Sequence, residues 1–178
     1  PAMPLCLEWL DFCPGRTVGD GQRGNFVAVG TLDPEIEIWS LDVVDGLYPD
    51  AILGPPPKEL IPAPAPSSIH DSTPSNDSSL KKKKKKKPKK PKVVANAEYH
   101  VDSILSLSWN RSHRNLLASS SADKTIKLWD LSLPTSSPAL RSFDSLHADK
   151  IQAVQWNPKE PTVLLSGSWD GTVRVFDS

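Results

Sequence analysis

The chain has 178 residues, with 21 basic and 21 acidic side chains and 18 prolines. Ten lysines stand in one stretch, KKKKKKKPKKPK at residues 81–92, so eleven bases face 21 acids elsewhere and the neutral total describes neither part. No apolar run approaches the roughly 18 residues of a membrane helix, and two cysteines, Cys6 and Cys13, make neither a disulfide framework nor a zinc site.

In chain order, LCLEWLDF (5–12) is the first apolar-rich run. An insertion of about ten residues follows near CPGRTVGDGQRG (13–24); its glycine cluster GDGQRG (19–24) lacks the Lys-Ser/Thr of a phosphate loop and reads as a flexible loop. Val27–Thr31 is an apolar run of strand length, and EIEIW (35–39) alternates with period two, as a half-buried strand does. YPDAIL (48–53) is a candidate fourth strand. Residues 55–99 are Pro/Ser-rich and end in the lysines, a composition that buries too little apolar surface to fold, so they are expected to be disordered.

After the lysines a pattern repeats. ILSLSWNRSHRNLLASSSADKTIKLWDLS (104–132) aligns without gaps with IQAVQWNPKEPTVLLSGSWDGTVRVFDS (151–178). Trp109 meets Trp156, Ser119 meets Ser166, Asp123 meets Asp170, Thr125 meets Thr172 and Trp129 meets Phe176, each 47 residues apart. The opening of the chain is a degenerate third copy, in which Trp9, Asp33 and Trp39 match Trp109, Asp123 and Trp129. The turns LDP, SADK and SWDG separate strand-like runs in each copy. Several short strands recurring at this period make an all-β repeat array such as a propeller.

These residues resemble the WD-repeat family of β-propellers. The second copy carries the pattern most fully, from His100 through LLASSSADKTIKLWD to Trp129 and Asp130; the third ends in Phe176-Asp177 instead of Trp-Asp. The resemblance implies four-stranded blades. It also implies a structural network within a blade: His100, Ser119, Asp123 and Trp129 in the second, and His147, Ser166 and Asp170 in the third. Phe176 has no indole donor, so that second network is expected to be weaker. In the first copy Val29 stands where Ser is expected, and no histidine precedes it.

The implied organisation is a first blade at 5–54, a disordered insertion at 55–99, a second blade at 100–146 and a third at 147–178 that lacks its last strand. Under three blades are present where closure takes about seven, so the expectation is an incomplete propeller, an N-terminal fragment. A closer likeness is to a nuclear and nucleolar branch of the family associated with ribosome biogenesis. It rests on VAVGTLDPEIEIWSLDVVD, the lysine-rich insertion and NLLASSSADKTIKLWDLS.

His100, Ser119 and Asp123 also have the composition of a hydrolase triad. The trio recurs 47 residues later, which suits a blade-stabilising network and not an active site. The reading is therefore a protein that is not an enzyme, with no cofactor, metal or small-molecule substrate. Cys6 aligns with Ser106 and Ala153, a position that takes a small residue. Trp9, Trp109 and Trp156 share one strand position, which argues core packing. Trp169 falls in a turn, where exposure makes it a candidate partner contact.

The tract Lys81, Lys82, Lys83, Lys84, Lys85, Lys86, Lys87, Lys89, Lys90 and Lys92 is a candidate nuclear import signal and a non-specific RNA-contacting segment. It has no aromatic to stack on bases and no Arg for bidentate readout. The expected partners are proteins on the propeller surface and RNA on the tract, with no membrane, and the expected compartment is the nucleus, specifically the nucleolus. The alternative is a chromatin module whose acidic propeller engages histones in transcription regulation.

Overall fold

A computed structural model of the chain describes residues 2–16, 23–55 and 96–178. Half of the stretch 13–24 (residues 17–22), nearly all of the insertion and the whole lysine tract lie outside the described residues, and with them the disorder expected there.

Among the described residues eleven strands form three antiparallel sheets, each meandering in chain order. The first holds β1 (Pro4–Leu10), β2 (Phe26–Thr31), β3 (Ile36–Ser40) and β4 (Ala51–Leu53). The second holds β5 (Ile104–Trp109), β6 (Leu116–Ser121), β7 (Ile126–Asp130) and β8 (Arg141–Phe143). The third has β9 (Ile151–Trp156), β10 (Val163–Ser168) and β11 (Val173–Asp177), leaving β11 with one partner strand. The fold is all-β, with no helix among the described residues.

Register follows from side-chain alternation. In the first sheet Trp9, Val27 and Trp39 pair across three strands on one face, and Ala28 and Ile38 pair on the other. Ala28, Ile36, Ile38 and Leu10 are fully buried, and they face the second sheet through Ile104, Leu107, Trp109, Leu117 and Trp129. Ala118, Ile126 and Leu128 on the opposite side of the second sheet close a separate core with Ile151, Val154, Trp156 and Leu164. The cores thus lie between sheets, and each large side chain buried there contributes about 1.5–3 kcal/mol.

Close approach between the first two sheets depends on Gly30. A Cβ there would meet the Cys6 sulfur at 2.5 Å and Ile104 at 2.7 Å. Cys6 fits beneath it, half-buried, and burial pushes its thiol pKa up to about 11. It is packed as a neutral thiol, in keeping with a site that takes a small residue.

Two expectations are corrected. Trp109 and Trp156 are buried, but Trp9 is 52% exposed. Trp109 and Trp156 reach back onto the preceding sheet: the Trp156 indole donates to Ser108 O at 3.1 Å, and the Trp109 ring meets the Trp9 ring edge-on at 6.2 Å. No described sheet stands before the first to receive Trp9, so with Met3 and Leu7 it forms an exposed apolar stripe.

The second correction concerns residues 96–99, assigned above to the disordered insertion. Tyr99 is buried in the core, its hydroxyl donating to Ser136 O at 2.9 Å, and the Ala139 amide donates to Glu98 O at 2.9 Å. The fastener is Lys127, a fully buried strand residue. Its ammonium donates to Asn96 O at 2.5 Å, Ala97 O at 3.2 Å and Ser142 Oγ at 2.7 Å. Burial lowers its pKa, while the Asp123 and Asp144 carboxylates favour the protonated form. The composition of the insertion hid this, because the clamp belongs to β7 and not to residues 96–99.

Lys127→Met should release those carbonyls while leaving the sheet paired. Hydrogen exchange is expected to rise about tenfold or more at the Glu98 and Ala139 amides and to stay unchanged across β6. Equal protection at Glu98 and Ala139 in both proteins would refute the clamp.

Candidate functional site

The second sheet brings His100, Ser119, Asp123 and Trp129 together in one buried chain. His100 precedes β5, Ser119 lies in β6, Asp123 in the turn after it and Trp129 in β7. The His100 ring places Nδ1 2.9 Å from Asp123 Oδ2 and Nε2 2.7 Å from Ser119 Oγ. The Trp129 indole N–H donates to Ser119 Oγ at 2.8 Å. A neutral ring protonated on Nδ1 satisfies every group. Nδ1–H donates to the carboxylate, Ser119 O–H donates to Nε2, and Ser119 still accepts from the indole.

Asp123 is also held by residues outside the expected set. Thr125 donates to Oδ1 through its hydroxyl at 2.7 Å and its amide at 2.9 Å, and the Val101 amide donates to Oδ2 at 3.1 Å. Burial works to raise the Asp123 pKa, but the bonds from His100, Thr125 and Val101 overcome it and leave it at about 2. Burial lowers the His100 pKa, outweighing the attraction of Asp123.

The third sheet repeats the arrangement. His147 Nε2 lies 2.7 Å from Ser166 Oγ, and Nδ1 lies 3.2 Å from Asp170 Oδ2 and 3.0 Å from Thr172 Oγ1. The Thr172 hydroxyl and the Ala148 amide hold Asp170 below the usual carboxylate range. Phe176 supplies no donor to Ser166 and packs instead edge-on against Phe143, at 5.0 Å between centroids. In the first sheet Val29 leaves the Trp39 indole without a serine, and it donates to Glu37 Oε2 at 2.9 Å. Thr125 and Thr172 were findable from their shared 47-residue spacing. Glu37 carried no such signal.

The Asp-His-Ser order is that of a hydrolase triad, yet Ser119 Oγ is enclosed and already engaged by His100 and Trp129. A substrate has no route to it. A cleft of 730 Å³ lined mainly by β5, β9 and β10 has one acid, Glu8, and one base, Arg111, among otherwise uncharged residues. Among the described residues no group of three His, Cys, Asp or Glu side chains is placed to hold a metal ion.

Trp169 stands apart from these networks, 66% exposed in the β10–β11 turn. Its indole N–H donates to Gln152 Oε1 at 3.0 Å, and Lys150 Nζ sits 5.9 Å from the ring centroid. The equivalent positions hold Leu32, exposed, and Ala122, buried.

The stacked meandering sheets, with a His-Asp-Ser network inside a sheet, define a propeller of WD repeats. The WD domain, G-beta repeat family matches residues 92–130 and 140–177, and the chain is a WD-repeat β-propeller chain. It is similar to Periodic tryptophan protein 1 of Saccharomyces cerevisiae, 39% identical over 145 residues covering 82% of this chain and 22% of that protein. The Periodic tryptophan protein 1 homolog of Drosophila melanogaster is 30% identical over 131 residues, 74% of this chain and 21% of that one. An uncharacterized WD repeat-containing protein of Schizosaccharomyces pombe is 45% identical over 132 residues, 74% of this chain and 20% of the relative. The chain therefore spans about a fifth of the length of these relatives. Among solved structures, the β-propeller domain of Myceliophteria thermophila Cps50 (Swd1) superimposes with a TM-score of 0.56 at 15% identity. That match covers 99% of this chain and 35% of the other, a likeness of fold alone.

Asp123→Ala removes the acceptor for four donors and should destabilise the propeller by about 1–3 kcal/mol. Asp170→Ala is expected to cost less, because Phe176 leaves the third-sheet network short of one donor. Thermal melts of the full chain compare them, and the opposite order would refute the assignment.

The network also sets a pH response. The folded His100 pKa lies below its ordinary value of 6.5, so as pH falls through 6.5 the unfolded chain takes up a proton that the folded chain refuses. Stability from this group is present above that pH and lost below it. Asp123, lowered from 3.8 to about 2, adds a second loss between those values. His100→Gln should therefore flatten the fall in Tm between about pH 7 and 5 relative to the unsubstituted protein, and parallel curves would contradict the reading.

Proposed function

We propose that the chain is part of a non-catalytic scaffold that works in ribosome biogenesis, in the nucleolus. Its propeller surface holds protein partners, and its lysine tract directs it to the nucleus and makes non-specific contact with RNA. The observation that carries the non-catalytic part is the enclosure of His100, Ser119 and Asp123, which commits the most reactive constellation in the sequence to holding a blade together. The ribosomal part is supported by the similarity to Periodic tryptophan protein 1 and by the separation of charge between an acidic propeller and a basic tract.

Co-sedimentation of the full chain with pre-ribosomal particles and not with nucleosomes tests the assignment. Replacing the ten lysines of residues 81–92 by serine should leave the melting temperature nearly unchanged, reduce nuclear accumulation and remove most RNA binding at low salt. If about half of the lysines engage phosphates at once, RNA binding should show a log–log salt slope near ~4, and the serine variant a nearly flat one. Unchanged import and an unchanged slope would reduce the tract to a spacer.

A further inference from the structure

We infer that the loop joining β3 to β4, residues 41–50, is a docking site for a basic protein segment that carries apolar anchors. The inference rests on the scaffold reading and gives that scaffold one surface and one partner chemistry. Five large apolar side chains stand in the open within eight residues. Leu41 and Val43 are more than half exposed, and Val44, Leu47 and Tyr48 are 84%, 85% and 82% exposed. Single exposed hydrophobics need no explanation, but a contiguous cluster on one loop marks an interaction surface.

The loop is fixed at both ends. The Leu41 amide donates to Asn25 O at 2.8 Å, and Asn25 Nδ2 donates to Asp42 Oδ1 at 2.9 Å. At the other end the Asp50 amide donates to Ile38 O at 2.8 Å, and the Ser40 amide donates to Asp50 Oδ2 at 2.6 Å. Asp45, at φ 59°, turns the chain between Val44 and Gly46. Anchored ends lower the ordering cost that a partner would otherwise meet.

Exposure here is not forced by the repeat. Leu131, at the position of Leu41 in the second sheet, is 1% exposed, and its carbonyl accepts the Gly15 amide at 2.7 Å. The same loop position can be buried, and in the first sheet it is displayed.

Charge selects the occupant. From Arg23 to Lys58 the chain carries Asp33, Glu35, Glu37, Asp42, Asp45 and Asp50 and no base between. Such a segment repels nucleic acid and anionic bilayers, so the apolar cluster does not serve either. A second copy of the acidic propeller is disfavoured on the same ground. A segment that sets lysine or arginine around leucine or phenylalanine meets both halves of the surface. Its apolar anchors cover Leu47 and Tyr48, and its cations face Asp45 and its neighbours.

The probe is a short synthetic amphipathic peptide, leucines at helical spacing and lysines elsewhere, titrated against the full chain by fluorescence anisotropy. Two controls replace its lysines by glutamate and its leucines by serine. The lysine–leucine peptide should bind, and Leu47→Ser combined with Tyr48→Ser should weaken it about tenfold or more without shifting the melting temperature. Asp45→Asn should weaken it less and flatten its salt dependence, while Leu133→Ser, in the corresponding loop of the second sheet, should stay within about twofold. Affinity unmoved by Leu47→Ser with Tyr48→Ser, or equal binding of the glutamate peptide, would overturn the inference. So would a gain of about tenfold when the lysine tract is replaced by serine, because the chain's own tract would then be the occupant. Loss of co-sedimentation with pre-ribosomal particles, with peptide binding intact, would count against the ribosomal reading and leave this surface standing.

Discussion

The bond between the His100 ring and the Asp123 carboxylate, closed off from water, organises the second sheet. A buried carboxylate is costly unless every lone pair is used, and here His100, Thr125 and Val101 supply the donors. Because those donors come from the segment before β5 and from the turn after β6, the carboxylate fixes how the chain enters the sheet as well as how it turns within it. Ser119 passes the order on to Trp129 in β7. One charged group thereby sets the relation of three strands, and strand pairing supplies the rest.

Between sheets the organising contacts are of another kind. The Trp156 amide donates to Ser108 Oγ at 3.1 Å, and the Trp109 amide to Glu8 Oε1 at 3.3 Å. Glu8 and Ser108 are equivalent positions, so the same clasp is made once with a hydroxyl and once with a carboxylate. The carboxylate version carries a burden: burial raises the Glu8 pKa, opposed by the Trp109 amide and Arg111. Asp11 and Arg114 add a partly exposed ion pair at 2.7 Å across the same interface. Apolar contact does most of the work between sheets, and the polar clasps set the register in which it forms.

Much of this was legible in the chain because the repeat is written twice at one spacing. The period-two alternation of TIKLW and TVRVF, the Asp-containing turns and the recurring His, Ser and Asp all state local rules that a strand must obey. What escaped were residues whose role depends on a neighbour distant in sequence. Trp9 has the same local pattern as Trp109 and differs only in having no described sheet behind it. Lys127 looks like an ordinary strand lysine until Asn96 and Ala97 are laid over it. Glu37 reads as a solvent-facing acid until Val29 deprives Trp39 of its serine. Periodicity reports a face, but what stands opposite that face is a matter of topology.

The placement of the long insertion has a consequence for how such a chain can vary. β4 completes the first sheet before it, and Lys127 and Tyr99 fasten the chain to the second sheet after it. Both flanks are secured by contacts of their own, so lengthening the connection disturbs neither sheet. Each doubling of such a connection adds only about 0.6 kcal/mol of closure entropy. The crossing between these two sheets is therefore open to growth: sequence can accumulate there, and new charge with it, while the cores on either side go on meeting the same packing demands.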